Sequence, residues 1–235
     1  PELPSSLKIV DANDCRSLEI VPFLTSSASQ LRFLFLKDCL KLENRSLSHV
    51  MESSYFTLKR LVYTRQRGGV CYPGRKVPDW FRFNQVTKSS NCITIEPPST
   101  TNNLIGYIFC SVLSHHPHGD LQCRLYYDGK QHKCSEFNVM KMINFDSHHV
   151  FLWCVPDTFK SFHKIMDKEN TNYRPKVSFE FFAVTCSEKS VDGVIEACGV
   201  CPIYASEYHN FIQQMELLDS NLGAQKETCQ NVDEN

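Results

Sequence analysis

The chain has 235 residues, of which 42% are hydrophobic and 22% are charged, a composition typical of folded globular domains rather than of disordered segments. Its formal net charge of −1 gives no global field that would draw the whole chain to nucleic acid or to an acidic membrane. The longest apolar run, residues 104–113, is about half as long as a helix that spans a bilayer.

The first forty residues contain two copies of one pattern. Residues 7–15 and 31–39 both fit the L-x-x-L-x-L-x-x-[NC] motif of leucine-rich repeats, at an offset of 24 residues. A degenerate third copy is predicted at residues 58–63, after a helical spacing of apolar residues that starts at Leu47. Because two or three repeats cannot bury a solenoid core alone, we expect residues 1–66 to be the end of a longer repeat array.

The residues between the buried aliphatic positions of each repeat are predicted to face the concave, solvent-exposed side. Phe33 and Phe35 would place two aromatic rings there, which is unfavourable unless something covers them. A protein partner and another part of the same protein are equally good candidates for that cover. The concave residues so predicted are Ile9, Asp11, Asn13, Phe33, Phe35 and Lys37.

After residue 66 the periodicity becomes that of β-strands. Short apolar runs alternate with turn-forming residues, and Asp128-Gly129 is a strong hairpin signal. Helices are predicted only at residues 159–166 and 206–222, and the acidic tail 223–235 is expected to be disordered. The pattern predicts a mainly β fold in which a solenoid end is followed by an antiparallel β-sandwich over residues 67–205 and a C-terminal helix. The predicted strands are 92–96, 104–113, 121–127, 133–139, 149–155, 177–184 and 194–204.

Four motifs carry a resemblance to a known family. Residues 71–81 read Cys-Tyr-Pro-Gly-Arg-Lys-Val-Pro-Asp-Trp-Phe, close to C-Y-P-G-x-x-[VI]-P-x-W-F. Residues 105–110, 146–153 and 198–204 follow in order and are similar to I-G-[FY]-x-x-C, S-D-H-x-F-L and C-G-[VI]-x-P-[IV]-Y, with the D-H pair of the second one residue further apart than usual. The chain thus resembles the last leucine-rich repeats and the jelly-roll/immunoglobulin-like C-JID domain of plant TIR-NBS-LRR disease resistance proteins.

The resemblance implies a function in plant defence and innate immunity. In such intracellular receptors, which are cytoplasmic or nuclear, the repeats and the C-JID hold the molecule inactive and bind a pathogen effector or a guarded host protein. NAD cleavage belongs to an upstream TIR domain. We therefore expect no catalytic residue, no metal ligand and no cofactor in this chain, and we expect intramolecular contacts with the upstream receptor domains.

The first motif is predicted to form the structural junction between repeats and sandwich. Its proline and glycine residues are turn formers, and its Trp80 and Phe81 would cover the apolar end of the last repeat. A ligand-stacking role for Trp80 is the alternative. The junction residues are Cys71, Tyr72, Pro73, Gly74, Pro78, Trp80 and Phe81.

Loops of the sandwich, at residues 115–120 and 170–173, are a second place where a partner is expected to bind. Loops on a rigid β scaffold can change specificity without disturbing the core, and aromatic side chains dominate interface energetics. Ordinary turns are the equally good alternative. The predicted contacts are His115, His116, His118, Asp120, Asn172 and Tyr173.

The basic stretch of residues 59–88 offers an alternative function, nucleic-acid binding. It holds eight Lys and Arg residues against Asp79 alone, a local net charge of +7, but no helix-turn-helix or RNP motif accompanies it. A solvated face that pairs with an acidic surface elsewhere is the simpler interpretation.

The twelve cysteines lie mostly in apolar runs, where a thiol behaves as a small hydrophobe. Cys198-x-x-Cys201 lacks the second pair that structural zinc needs. We therefore expect reduced, metal-free cysteines in a reducing compartment.

Overall fold

Strands make up most of the regular structure. A computed structural model describes residues 4, 6–21, 30–86, 91–96, 104–114, 119–131, 137–142, 145, 147–154, 176–185 and 190–217. In these parts of the chain the elements are, in order, β1 (Ile9–Asp11), β2 (Phe33–Phe35), α1 (Asn44–Tyr63), β3 (Gly68–Pro73), β4 (Phe83–Val86), β5 (Cys92–Ile95), β6 (Leu104–Leu113), β7 (Gly119–Tyr127), β8 (Lys130–Gln131), β9 (Phe137–Met142), β10 (His149–Cys154), β11 (Val177–Thr185), β12 (Ser190–Val191), β13 (Ile195–Tyr204), a 3-10 turn at Ala205–Glu207 and α2 (208–217).

The repeat strands and one layer of the sandwich share a single sheet, in the order β1-β2-β3-β10-β6-β13-β4. Strands β1, β2 and β3 are parallel, with Ile9 opposite Phe33 and Phe33 opposite Gly69. Strand β3 then pairs antiparallel with β10. It is therefore the last strand of the repeat array and also a strand of the sandwich.

The third repeat strand does not lie where the sequence pattern places it. Residues 58–63 form the end of α1, with Leu58, Leu61 and Val62 buried. This part of the prediction is wrong because an L-x-x-L spacing fits one face of a helix as well as a repeat strand. Gly68 lets β3 pass close to the helix, since a Cβ there would collide with the Leu61 side chain and the Arg32 carbonyl.

The second sheet has the order β12-β11-β7-β8, with β5 also pairing with β11 and β9 with β7. The predicted hairpin is confirmed: Asp128 and Gly129 have φ of 47° and 75° and connect β7 to β8. Two consecutive positive φ angles are the geometry of a type I′ turn.

The middle strands of the seven-stranded sheet, β3, β10, β6 and β13, are buried on both faces. One face packs against the second sheet around Phe109, Trp153 and Phe179. The other packs against α1 and the repeat core around Leu34 and Leu152. Strands β6 and β10 are therefore continuous apolar runs, since both sets of alternating side chains are buried.

The mainly β fold, with a solenoid end, a sandwich and a C-terminal helix, is confirmed. Each of the seven predicted strands has a counterpart, with bounds displaced by up to four residues at β9. Strands β3, β4, β8 and β12 were not predicted, because they are short or lie in turn-like sequence. The predicted helix at 159–166 and the tail 223–235 lie outside the described residues.

Candidate partner-binding surface

Strands β1 and β2 present an apolar edge on the face that the sequence predicts to be the concave side of the repeats. Ile9 is 55% exposed, and the neighbouring Phe33 is partly exposed. The Phe33 and Phe35 rings stack with centroids 5.9 Å apart. Phe35 also packs against the core between the two sheets. The chain's own sandwich thus covers part of the aromatic pair, and Ile9 with Phe33 forms its more open side.

The polar residues predicted on the same side bond to one another. The Asn13 Oδ1 accepts a hydrogen bond from the Lys37 backbone N–H at 2.8 Å, and the Asp11 carboxylate accepts one from the Asn13 N–H at 3.1 Å. Lys37 Nζ lies 3.3 Å from the Asp14 carboxylate and 3.5 Å from that of Asp38. These groups therefore fix the shape of the loops after β1 and β2, and the Lys37 charge is already neutralised.

Most of the predicted loop contacts lie outside the described residues: His115, His116, His118, Asn172 and Tyr173. Asp120 is described, and it is partly buried in β7 opposite Val184 of β11. It belongs to a strand rather than to the predicted loop, because β7 begins two residues earlier than the apolar pattern indicates.

The junction motif packs its aromatic residues between α1 and the sandwich. The Trp80 ring stacks on Phe81 at 4.2 Å between centroids and lies 5.1 Å from Tyr55 of α1. Phe81 is 3% exposed. A Cβ on Gly199 would come within 2.8 Å of the Phe81 ring, so the first motif packs directly on the glycine of the closing Cys198-Gly199-Val200 segment.

The remaining junction residues continue the sheet. Cys71, Tyr72 and Pro73 belong to β3, where Tyr72 pairs with Val150, so Pro73 ends a strand rather than starting a turn. Gly74 then donates its backbone N–H to the His148 carbonyl at 3.0 Å, and Pro78 is buried.

A polar contact that the sequence did not predict ties the C-terminal segment to α1. Lys59 Nζ lies 2.9 Å from the Glu207 carboxylate and 2.9 Å from the Tyr55 hydroxyl, although the lysine is only 4% exposed. Arg82 binds the other oxygen of Glu207 at 3.0 Å. Burial lowers the pKa of Lys59, but its bonds to Tyr55 and Glu207 outweigh burial and raise the pKa above the usual value. The buried cation is therefore stable, and Phe211 of α2 packs beside it with Nζ 5.7 Å from the ring centroid.

Comparison with known proteins agrees with the four motifs. Residues 72–209 match the C-JID domain family. The chain belongs to this family. The chain is 34% identical to the disease resistance protein RML1B of Arabidopsis thaliana over 122 residues, which are 51% of its length. It is 27% identical to the disease resistance protein RPS4 of the same plant over 129 residues, which are 48% of its length. These matches span about a tenth of the length of each relative. The resemblance to plant TIR-NBS-LRR disease resistance proteins is confirmed.

The basic stretch around the start of the C-JID does not form one surface. Lys59 and Arg82 bind Glu207, and the Arg60 guanidinium donates to the Leu31 carbonyl at 2.6 Å. Of the exposed basic residues, Arg65 and Arg67 precede β3 and Arg75 and Lys76 follow it, roughly 20 Å apart for a six-residue strand. Lys88 lies outside the described residues. This dispersal does not favour the nucleic-acid alternative.

Side chains that could pair for catalysis or metal binding are separated by the C-JID sheet. Cys198 lies in the core between the sheets and Cys201 in the core against α1, because residues three apart in a strand point to opposite faces. The same sheet separates Cys110 from His149, which lies next to the rings of Phe145 and Phe151. Within the described parts of the chain, no group of three His, Cys, Asp or Glu side chains is placed to hold a metal ion.

The thiols of the C-JID core are protonated. Burial raises the pKa of Cys198 to about 12 and that of Cys201 to about 11. All nine cysteines that the structure describes are free. In that part of the chain, no helix is both long and apolar enough to cross a bilayer.

Proposed function

We propose that this chain is a non-catalytic recognition module of an intracellular plant immune receptor. It binds a pathogen effector or a guarded host protein and helps to hold the receptor inactive until that partner arrives. Membership of the C-JID family and the names of the relatives support a part in disease resistance. The observation that carries the binding proposal is the apolar concave edge formed by Ile9 and Phe33 beside the sandwich.

The geometry of this edge suits protein recognition. The Phe33 ring is stacked on Phe35, and Phe35 is anchored on the sandwich core, so little side-chain freedom is lost when a partner binds. Ile9 adds exposed aliphatic area in the adjacent strand. Aromatic residues, Phe among them, are enriched at the cores of protein interfaces, where a polar rim surrounds them.

The titratable groups of the chain fit a binding role. His149 is fully buried, and burial lowers its pKa below the usual value, so the ring is neutral at physiological pH. The thiols of Cys198 and Cys201 are protonated for the same reason. These groups are held as parts of the fold rather than presented to a substrate.

A binding assay with matched variants tests the proposal. The wild-type chain, the Ile9→Ser/Phe33→Ser variant and an Ile20→Ser control are immobilised, and the effector that triggers the receptor is passed over them. Ile20 is the control because it is 62% exposed and lies outside the strands of the concave face. We expect the double variant to lose binding and Ile20→Ser to keep it. Equal binding by all three chains would reject this surface.

A further inference from the structure

Backbone hydrogen bonds join successive coils of the repeats outside the strands. The Ala12 N–H donates to the Phe35 carbonyl at 2.8 Å, and the Asp14 N–H donates to the Lys37 carbonyl at 2.7 Å. One coil later, the Leu36 N–H donates to the Cys71 carbonyl at 2.8 Å. At these positions, just after each strand, a coil thus satisfies its donors with carbonyls of the coil that follows.

Asp14 and Asp38 occupy the same position in their two coils. Each immediately precedes the cysteine of its repeat, and their φ angles are 60° and 55°. By analogy with Asp14, the N–H of Asp38 needs an acceptor in a following coil. At this position the coil that follows has already passed into the sandwich, because β3 ends at Pro73 and pairs with β10.

His149 supplies that acceptor. Its Nε2 accepts a hydrogen bond from the Asp38 backbone N–H, with 2.9 Å between the two nitrogen atoms. Its Nδ1 donates a hydrogen bond to the Ser147 carbonyl at 2.8 Å. In the sheet, His149 stands directly opposite Pro73, the last residue of β3. The imidazole therefore occupies the place that the carbonyl of a further repeat would take.

We propose that His149 is a positioning residue that ends the repeat ladder and couples the last repeat to the C-JID sandwich. The coupling depends on one tautomer, with the proton on Nδ1 and the lone pair on Nε2. The ring is 0% exposed and is held by Phe145 and Phe151, at 4.9 and 6.5 Å between centroids. This inference does not depend on the proposed recognition function.

Charged groups around the ring allow a second interpretation. The Asp38 carboxylate lies 3.6 Å from Nε2 and also pairs with Lys37, and His148 is the adjacent residue. If the contact were an ion pair, Nε2 would carry a proton and the carboxylate would be essential. In our proposal the backbone N–H is essential and the carboxylate is not.

Three variants separate these interpretations. His149→Leu removes the acceptor, and His148→Leu is its matched control, because His148 pairs with Glu196 at 3.0 Å within the sandwich. Asp38→Gly removes the carboxylate but keeps the N–H, and glycine accepts the φ of 55° without strain. Amide hydrogen exchange is measured for positions 14 and 38 in the repeats and for Phe109 and Leu152 in the sandwich.

In His149→Leu we expect the amide at position 38 to lose roughly tenfold in protection, the equivalent of one buried hydrogen bond, while Phe109 and Leu152 keep theirs. His148→Leu and Asp38→Gly should both keep protection at position 38. Unchanged protection at position 38 in His149→Leu, or its loss in Asp38→Gly, would overturn the proposal. So would a uniform loss across all four positions, which would mark His149 as an ordinary core residue.

A measurement on the wild-type chain tests the proposal without relying on variants that fold. Imidazole nitrogen chemical shifts at neutral pH should show His149 with a protonated Nδ1 and an unprotonated Nε2. A proton on Nε2 would contradict the proposal even if the variants were unstable.

Discussion

Single residues decide how the junction closes. Gly199 is a glycine because the Phe81 ring and the Val77 side chain occupy the space that a Cβ would need, at 2.8 and 2.9 Å. The opening and closing motifs of the C-JID are therefore two sides of one contact. A conservative change at either side is expected to disturb the other.

Trp80 belongs to this contact. Its ring lies between Tyr55 and Phe81, so we expect Trp80→Ala to destabilise the chain by about 3 kcal/mol, as for other large aromatic truncations. Urea unfolding measures the effect, and Phe83→Ala is the control because that ring is 36% exposed. A Trp80→Ala variant that unfolds like wild type but no longer binds its partner would show that Trp80 is a ligand residue.

His149 makes stability depend on pH. Burial is the largest effect on its pKa and lowers it below 6.5, although the Ser147 carbonyl and Asp38 raise it and Lys37 and His148 lower it further. The unfolded chain therefore binds the proton more tightly than the folded chain. The free energy contributed by the neutral ring is complete above about pH 6.5 and is lost as the pH falls.

The corresponding prediction is that the free energy of unfolding of the wild-type chain falls more between pH 7.5 and pH 5 than that of His149→Leu. Carboxylates away from the ring affect both chains alike, so the difference reports His149 together with its neighbour Asp38. An identical pH dependence in the two chains would contradict the burial argument.

At the scale of elements, α2 acts on α1 through one buried aromatic residue. Phe211 is 2% exposed and packs against Phe56 and Tyr63 of α1, while Glu207 in the preceding turn binds Lys59. Packing against α1 therefore stabilises this helix, as tertiary contacts stabilise most helices in proteins.

We expect Phe211→Ala to destabilise the chain by about 3 kcal/mol, and Leu217→Ala, at a side chain that is 62% exposed, by less than about 0.5 kcal/mol. Thermal unfolding followed by circular dichroism compares them. If both variants melt like wild type, α2 does not stabilise α1.

Sequence reasoning succeeded where local pattern and local structure agree. The Asp128-Gly129 turn and the strands of the sandwich follow from turn chemistry and apolar runs. It failed at residues 58–63, where leucine spacing fits two structures, and at β3, whose Cys71-Tyr72-Pro73 resembles the start of a turn. It could not predict Lys59–Glu207 or Asp38–His149, which join residues 148 and 111 positions apart, because periodicity does not specify which distant side chain meets a given face.

At the scale of the whole molecule, one sheet runs from the repeats into the sandwich. The repeat face that carries Ile9 and Phe33 and the core between the two sheets therefore lie on the same side of that sheet, with Phe35 at their boundary. A partner that binds Ile9 and Phe33 would contact the repeats immediately beside the C-JID. This arrangement also explains why Phe35, which the sequence predicts to face the concave side, is partly covered by its own chain.

The distribution of thiols over the two cores predicts their reactivity. In the native chain an alkylating reagent at pH 7.5 should modify the exposed Cys15 quickly and the buried Cys198 and Cys201 slowly, because burial keeps both thiols protonated. Peptide mapping by mass spectrometry measures the rates. After unfolding, all twelve cysteines should react, and a stoichiometric metal ion or more than two disulfides would contradict the prediction of reduced, metal-free cysteines.

The measurement that tests the recognition proposal most directly is effector-triggered cell death in leaves that express the whole receptor. We expect Ile9→Ser/Phe33→Ser to abolish the response while the receptor still accumulates and stays silent at rest, and we expect Ile20→Ser to respond like wild type. Cell death without the effector in the double variant would show that this edge faces the receptor's own domains, and a full response from the double variant would show that it binds no partner. Either result would contradict the proposal that a partner binds this edge.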